Sequence, residues 1–422
     1  MRLFVLLVLF TACAHGPDPS KPAQAPAAPE CDRAGIWEQF ESTLRSSYAY
    51  LDRGDFDVDG LLSRARERAA AAKSVAEVRG ILLRTTYAFT DPHLLVGPLS
   101  ADDFNVIFTS SDLIAEVRDG KVQVTEVRRD SAAQRAGVRP GWSVRSVNGV
   151  PMESAIAEVF AELLDTPTAH QQSYAASLIL NGAREGSRRI EFTVEGESRT
   201  LNLENPRALA REVATRQPLT VQVADGGVTV FRFENSLGKA ETIAAFDRAI
   251  QAAANSTGVI LDLRNTPSGG NTDVARAIIG HFVAEARPYQ RHRIPAVERQ
   301  TGVPRMFVEY VMPRAPRYSG PLAVLGGPWT GSMGEGLVIG LDAAAGAETF
   351  ASDMGDLLGA LYSRPLSCEL FLEYGGESLF HVDDTPREAY RARHPMEHGE
   401  LGPDGSDPAL AAALEFLSTA SR

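Results

Sequence analysis

The sharpest chemical signal in the sequence is Trp329-Thr330-Gly331-Ser332-Met333-Gly334-Glu335-Gly336, which follows the apolar run Leu322 to Leu325 and opens a helical pattern. Ser332 is therefore expected on a strand-to-helix turn. A hydroxyl at a helix start faces backbone amides and the positive end of the helix dipole, which favour negative charge. An acyl-transfer nucleophile is useful there, and the glycines let the chain turn and a substrate come close. A serine that merely caps a helix fits the same spacing. Position 330 is Thr, so the turn is not the G-x-S-x-G elbow of an α/β-hydrolase esterase. Glu335 stands where an S-x-x-K acyltransferase would carry lysine. The second signal is Asp262-Leu263-Arg264-Asn265-Thr266-Pro267-Ser268-Gly269-Gly270-Asn271, a strand running into paired glycines and then a helix from Thr272 to Phe282. Amides exposed on such a turn can line an oxyanion hole; taken alone, the segment reads as an ordinary connection.

The elements that must position these turns form an α/β pattern from residue 207 onward. Val228 to Phe233 reads as a strand, Ile243, Phe246 and Ile250 stripe a helix, and Gly258 to Leu263 is a continuous apolar strand of the kind buried on both faces. Asp407-Pro408 begins a last helix that runs through Leu417. At the other end, Trp37, Phe40, Leu44 and Tyr48 lie on one face of a helix. Two further helices are expected over Asp57 to Ala72 and Ser74 to Tyr87, the latter with a Ser74/Glu77 capping box. Between them the character changes to short strands: Val122 to Val127 alternates, and Asn148-Gly149 is a hairpin signal. Ala136-Gly137-Val138-Arg139-Pro140-Gly141-Trp142 with Val144 to Gly149 resembles the PDZ pattern. Such modules bind a peptide by strand addition and hold its terminal carboxylate on backbone amides. Where the carboxylate loop is usually glycine-rich, this chain has Ser111-Asp112-Leu113-Ile114, which leaves a structural or gating role open.

In this order the features resemble the tail-specific (C-terminal processing) and tricorn-core serine peptidase superfamily, over roughly residues 35–420. Residues 262–271 match its "DLR-N-GG" signature, Thr330 to Glu335 its nucleophile motif, and Asp91-Pro92-His93 its "D-H" segment. The resemblance implies a multidomain α/β chain: helical residues 31–100, a PDZ-like β-rich domain at 103–203, and a ClpP/crotonase-like catalytic core at 207–422. It implies Ser332 as nucleophile, Glu335 as supporting acid, and an oxyanion hole from Met333 and either Gly269 or Gly270. The extra Ser268 leaves the choice of glycine open. Many members use a lysine base beyond the nucleophile helix, but no lysine follows Lys239. The tricorn-type alternative assigns the base to His93, with Asp91 or a distant glutamate orienting it, and Glu397 completing the relay before Pro403-Asp404. Imidazole, with an ordinary pKa near ~6.5, suits base catalysis at neutral pH. Proteins on this fold that bind ligands without catalysis form the competing class.

A formal net charge of −12 with no long basic run argues against a nucleic-acid partner. Residues 1–12 read as a signal peptide, with Arg2 ahead of the apolar run Leu3 to Phe10. Phe10-Thr11-Ala12-Cys13 resembles a lipoprotein signal, which implies lipidation of Cys13, a tether over residues 13–30, and a location on the bacterial envelope facing the periplasm. Membrane contact is expected through that lipid only. In an oxidising compartment the remaining Cys31 and Cys368 permit one disulfide or stay as buried thiols. The expected partner is a protein or peptide substrate. No cofactor is expected, and no metal, because the histidines near 394–398 lack H-E-x-x-H spacing.

Overall fold

The computed structural model describes residues 31–53, 56–106 and 109–420. The expected signal peptide, Cys13 and the tether lie outside the described residues. Three helices open the chain: α1 (Ile36–Ser47), α2 (Val58–Ala71) and α3 (Val75–Tyr87). Ile36, Trp37, Phe40 and Leu44 bury one face of α1. Ser74 Oγ accepts the Glu77 amide, while the Glu77 carboxylate reaches back to the amide of Lys73 rather than of Ser74.

A sheet in the order β1 (Leu113–Arg118), β2 (Lys121–Val127), β3 (Ser143–Val147), β4 (Arg188–Val194) and β5 (Glu197–Leu203) follows, with helix α4 (Ala169–Asn181) against β1. Asn148 and Gly149 both take positive φ, as a tight hairpin turn after β3 requires. Helices α1–α3 and this sheet share one continuous hydrophobic core. Tyr87 packs on Phe104, and Gln171 Nε2 donates to Ala88 O.

The second half is a sheet in the order β11 (His394–Pro395), β10 (Glu348–Ala351), β9 (Leu322–Gly326), β8 (Gly258–Asp262), β7 (Val228–Phe233) and β6 (Leu219–Val223). All neighbours are parallel except β6–β7. Phe231, Leu261 and Val324 face one layer of helices: α5 (Glu241–Ala252), α6 (Thr272–Ile279) and α7 (Met333–Ala345). Val230, Ile260 and Leu325 face α8 (Pro408–Ala420) through Ala413 and Leu417. Burial on both faces explains why these strands read as unbroken apolar runs. A third sheet joins Leu95–Gly97, Phe371–Phe380, Arg287–Arg293, Met306–Val311 and Ala360–Pro365. A disulfide links Cys31 to Cys368, tying the start of the helical segment to this third sheet. Among the described residues no helix is long and apolar enough to cross a membrane.

Candidate active site

Two loops leave the C-terminal ends of the adjacent parallel strands β8 and β9, the edge where open α/β sheets place ligand sites. They are stitched together. The Thr266 amide donates to Trp329 O at 3.0 Å, and the Gly331 amide to Thr266 O at 3.2 Å. The Thr330 hydroxyl donates to Leu263 O at 3.1 Å. Ser332 emerges from this corner, partly exposed, at the start of α7. Its backbone sits at φ 51° and ψ −114°. A serine that only caps a helix sits in the extended region, as Asn271 does before α6 at φ −116° and ψ 158°. A non-glycine residue held at positive φ costs on the order of 1–3 kcal/mol and clusters at functional sites.

The glycines across from Ser332 separate by role. A Cβ on Gly269, at φ 62°, would stand 2.5 Å from Ser332 Cβ and 2.8 Å from the Met333 nitrogen. Only glycine fits against the serine there. The Gly269 amide is committed to Thr266 O at 3.0 Å. The amides of exposed Gly270 and of Met333 have no acceptor among the described residues. These two amides are the unclaimed donors beside Ser332.

Glu335 lies one helical turn beyond Ser332 and is 2% exposed. Its carboxylate accepts the Ser332 amide at 2.6 Å and the Asp356 amide at 2.9 Å. Burial pushes its pKa up to about 8, against the pull of the Arg387 guanidinium, which lies 3.7 Å away. Arg387 donates to Ser332 O at 3.2 Å and to Leu357 O. The sequence reading missed Arg387. It lies beyond the motifs, and one arginine among many carries no local signal.

The segment Gly355–Leu358 runs between the serine turn and His93. Gly355 donates its amide to Thr330 O at 2.9 Å, and Leu358 O accepts from His93 Nδ1 at 2.9 Å. A carbonyl can only accept, so Nδ1 carries the proton and Nε2 is left with its lone pair. His93 is 7% exposed, and burial pushes its pKa down to about 4. The Asp91 carboxylate does not meet the ring: it takes the amides of His93 and Leu358 and the Tyr48 hydroxyl. Burial pushes its own pKa up to about 7. Asp91 therefore fixes the backbone on both sides of His93, and the Leu358 carbonyl orients the imidazole.

Glu397 is exposed and lines a separate cavity with Pro328, Ser352 and Met354. The buried acid of that stretch is Glu400, which holds Arg232 at 2.6 Å and accepts the Arg129 amide at 3.0 Å. Neither reaches His93. His394 stacks on Phe350 and pairs with Glu348. His281 pairs with Asp247, and His292 with Glu377. One histidine that the motifs passed over, His170 on α4, lines a cavity of about 380 Å³ together with Glu335, Asp356, Arg387 and Glu388. No cluster able to hold a metal ion occurs among the described residues.

Asp262 and Arg264 of the signature are 3% and 1% exposed and pair at 2.9 Å. Arg264 also binds Asp407 at 2.6 Å and Gly399 O at 3.1 Å. Arg232 and Arg264 hold the Asp262 carboxyl far below the usual range. Buried charges persist only when paired, so this network locks the loop before α8 to the end of β8.

Fold and corner define the class: a parallel α/β core with a strained serine at a strand–helix turn, facing a glycine turn from the neighbouring strand. Mature CPAF complexed with lactacystin shares this fold at TM-score 0.58, with 13% identity over 92% of this chain and 97% of that one. The photosystem II D1 C-terminal processing protease does so at TM-score 0.55, with 14% identity over 92% and 97%. The expected resemblance to C-terminal processing proteases thus holds at the level of the fold, and the expected mixed α/β architecture is the observed one. No family model matches the sequence, and no curated protein does so significantly.

Proposed function

We propose that this chain is a serine peptidase of the bacterial envelope, lipid-anchored at Cys13, with residues 103–203 as a PDZ-like module. The observation that carries the reading is the positive φ of Ser332, partly exposed against a glycine turn. Ser332 Oγ attacks the scissile carbonyl and His93 Nε2 takes its proton. The oxyanion rests on the amides of Met333 and Gly270. His93 returns the proton to the leaving amine, and water releases the acyl group by the reverse steps. Glu335 and Arg387 hold the backbone of the turn from its amide and carbonyl sides.

The deep burial of His93 favours a second reading, a non-catalytic binding protein on the same fold. A fluorophosphonate probe separates the two. Covalent labelling of the purified protein, mapped to the peptide containing Ser332, is expected. An unlabelled, folded protein overturns the peptidase reading.

A further inference from the structure

We infer that this chain does not read a free C-terminal carboxylate by strand addition, because helix α4 already occupies the edge of β1 where a peptide tail would pair; a substrate needs no terminal carboxylate to be taken. The inference rests on the peptidase reading for the cleavage step alone.

β1 is the end strand of its sheet, and Leu113, Ala115 and Val117 alternate along it. In such a strand every second residue turns its amide to the open edge. Those amides are all taken by one face of α4, at the spacing of successive helical turns. Ser173 Oγ accepts the Val117 amide at 3.0 Å. Ser177 Oγ accepts the Ala115 amide at 3.1 Å and donates to Ala115 O at 3.2 Å. Asn181 Oδ1 accepts the Leu113 amide at 3.4 Å, and its Nδ2 donates to Leu113 O at 2.8 Å. Exchange of both an N–H and a C=O with one partner is what a residue of an added antiparallel strand does. Ser177 and Asn181 thus supply from side chains what an incoming strand would supply from its backbone.

The place for a terminal carboxylate is filled in the same way. Asn181 Oδ1 also accepts the Asp112 amide at 2.9 Å. The Asp112 carboxylate is itself fully buried here, paired with Arg188 at 2.8 Å and 2.9 Å. A second carboxylate would meet an occupied donor and a like charge. The cavity beside Glu335 and Arg387 is bounded by Ala115, Ser173 and Ser177, so the zipped pair forms a wall of that cavity.

The test uses peptides spanning a cleavage site mapped in denatured casein, each made as free acid and as carboxamide. Binding to the full-length Ser332→Ala protein is read by fluorescence anisotropy, and kcat/KM on the wild type. Acid and amide are expected to agree within threefold in both readouts. A tenfold or greater advantage of the free acid in either readout overturns the inference. If the wild type neither cleaves casein nor takes the fluorophosphonate label, the peptidase reading fails, and anisotropy with apolar-tailed casein peptides, each as free acid and carboxamide, still decides whether carboxylates are read.

Discussion

Two helices of this chain start with the same local pattern, a serine followed three residues later by glutamate. At α3 it is Ser74 and Glu77; at α7 it is Ser332 and Glu335. Ser74 sits in extended backbone at φ −138° and ψ 159°, is exposed, and its hydroxyl accepts the Glu77 amide. Its glutamate is exposed too. Ser332 sits at φ 51° and ψ −114°, and its glutamate is buried. The first pattern completes a helix end. At the second the serine backbone leaves the extended capping region although Glu335 still accepts its amide, and the stitched loops and Gly269 close around it. A capping sequence thus becomes a candidate reactive corner when neighbouring elements over-determine its backbone.

The two serines differ most in what their hydroxyls do. Ser332→Ala is expected to remove peptide hydrolysis to background while circular dichroism shows an intact fold. Ser74→Ala is expected to leave kcat/KM unchanged. Turnover near wild type in the folded Ser332→Ala variant would put the nucleophile elsewhere.

Next in size is the base. His93→Ala is expected to lower kcat by ~10² to 10⁴. The base acts when neutral, and burial holds His93 down at about 4. Activity should therefore persist at pH 6 and fall only as pH drops toward 4, whereas an unburied imidazole would lose it near ~6.5. A pH–rate profile with folding checked at each point decides this. A folded His93→Ala variant that keeps its rate turns attention to His170, the histidine on the cavity wall, and away from His394, which is held by Glu348 and Phe350.

Gly269→Ala probes the strain itself. The added methyl meets Ser332 at 2.5 Å and takes positive φ. A loss of about 1–3 kcal/mol in stability is expected, with at least a tenfold fall in kcat, since ~1.4 kcal/mol lost at the barrier is tenfold. Unchanged kcat would show that the close approach of the two loops is irrelevant to the reaction. The smallest effect is at the structural cap, where Ser74→Ala should cost about 1 kcal/mol in a thermal or urea melt.

The elements were legible in the sequence wherever their cause was local. The apolar runs of β7, β8 and β9 follow from burial on both faces, and the α1 stripe from helical periodicity. Order along the chain also brought out the two turns that face each other. The identity of the third partner was not legible. Arg387 reaches Ser332 from a distant loop, and nothing in Arg387's own neighbourhood marks it. The resemblance left either Asp91 or a distant glutamate to orient His93. The fold instead gives Asp91 the backbone amides and gives the ring to Leu358 O.

The α/β pattern, the serine on a glycine-rich strand-to-helix turn, and the absence of a lysine after residue 239 are all readable in the residues alone. These depend on residue type and periodicity, which are local. Which amides remain unclaimed at the corner, which His93 tautomer is held, and that α4 closes the edge of β1 follow from the fold. Each depends on which groups have already found partners, and hydrogen-bond pairing between segments far apart in the chain leaves no periodic trace in the sequence.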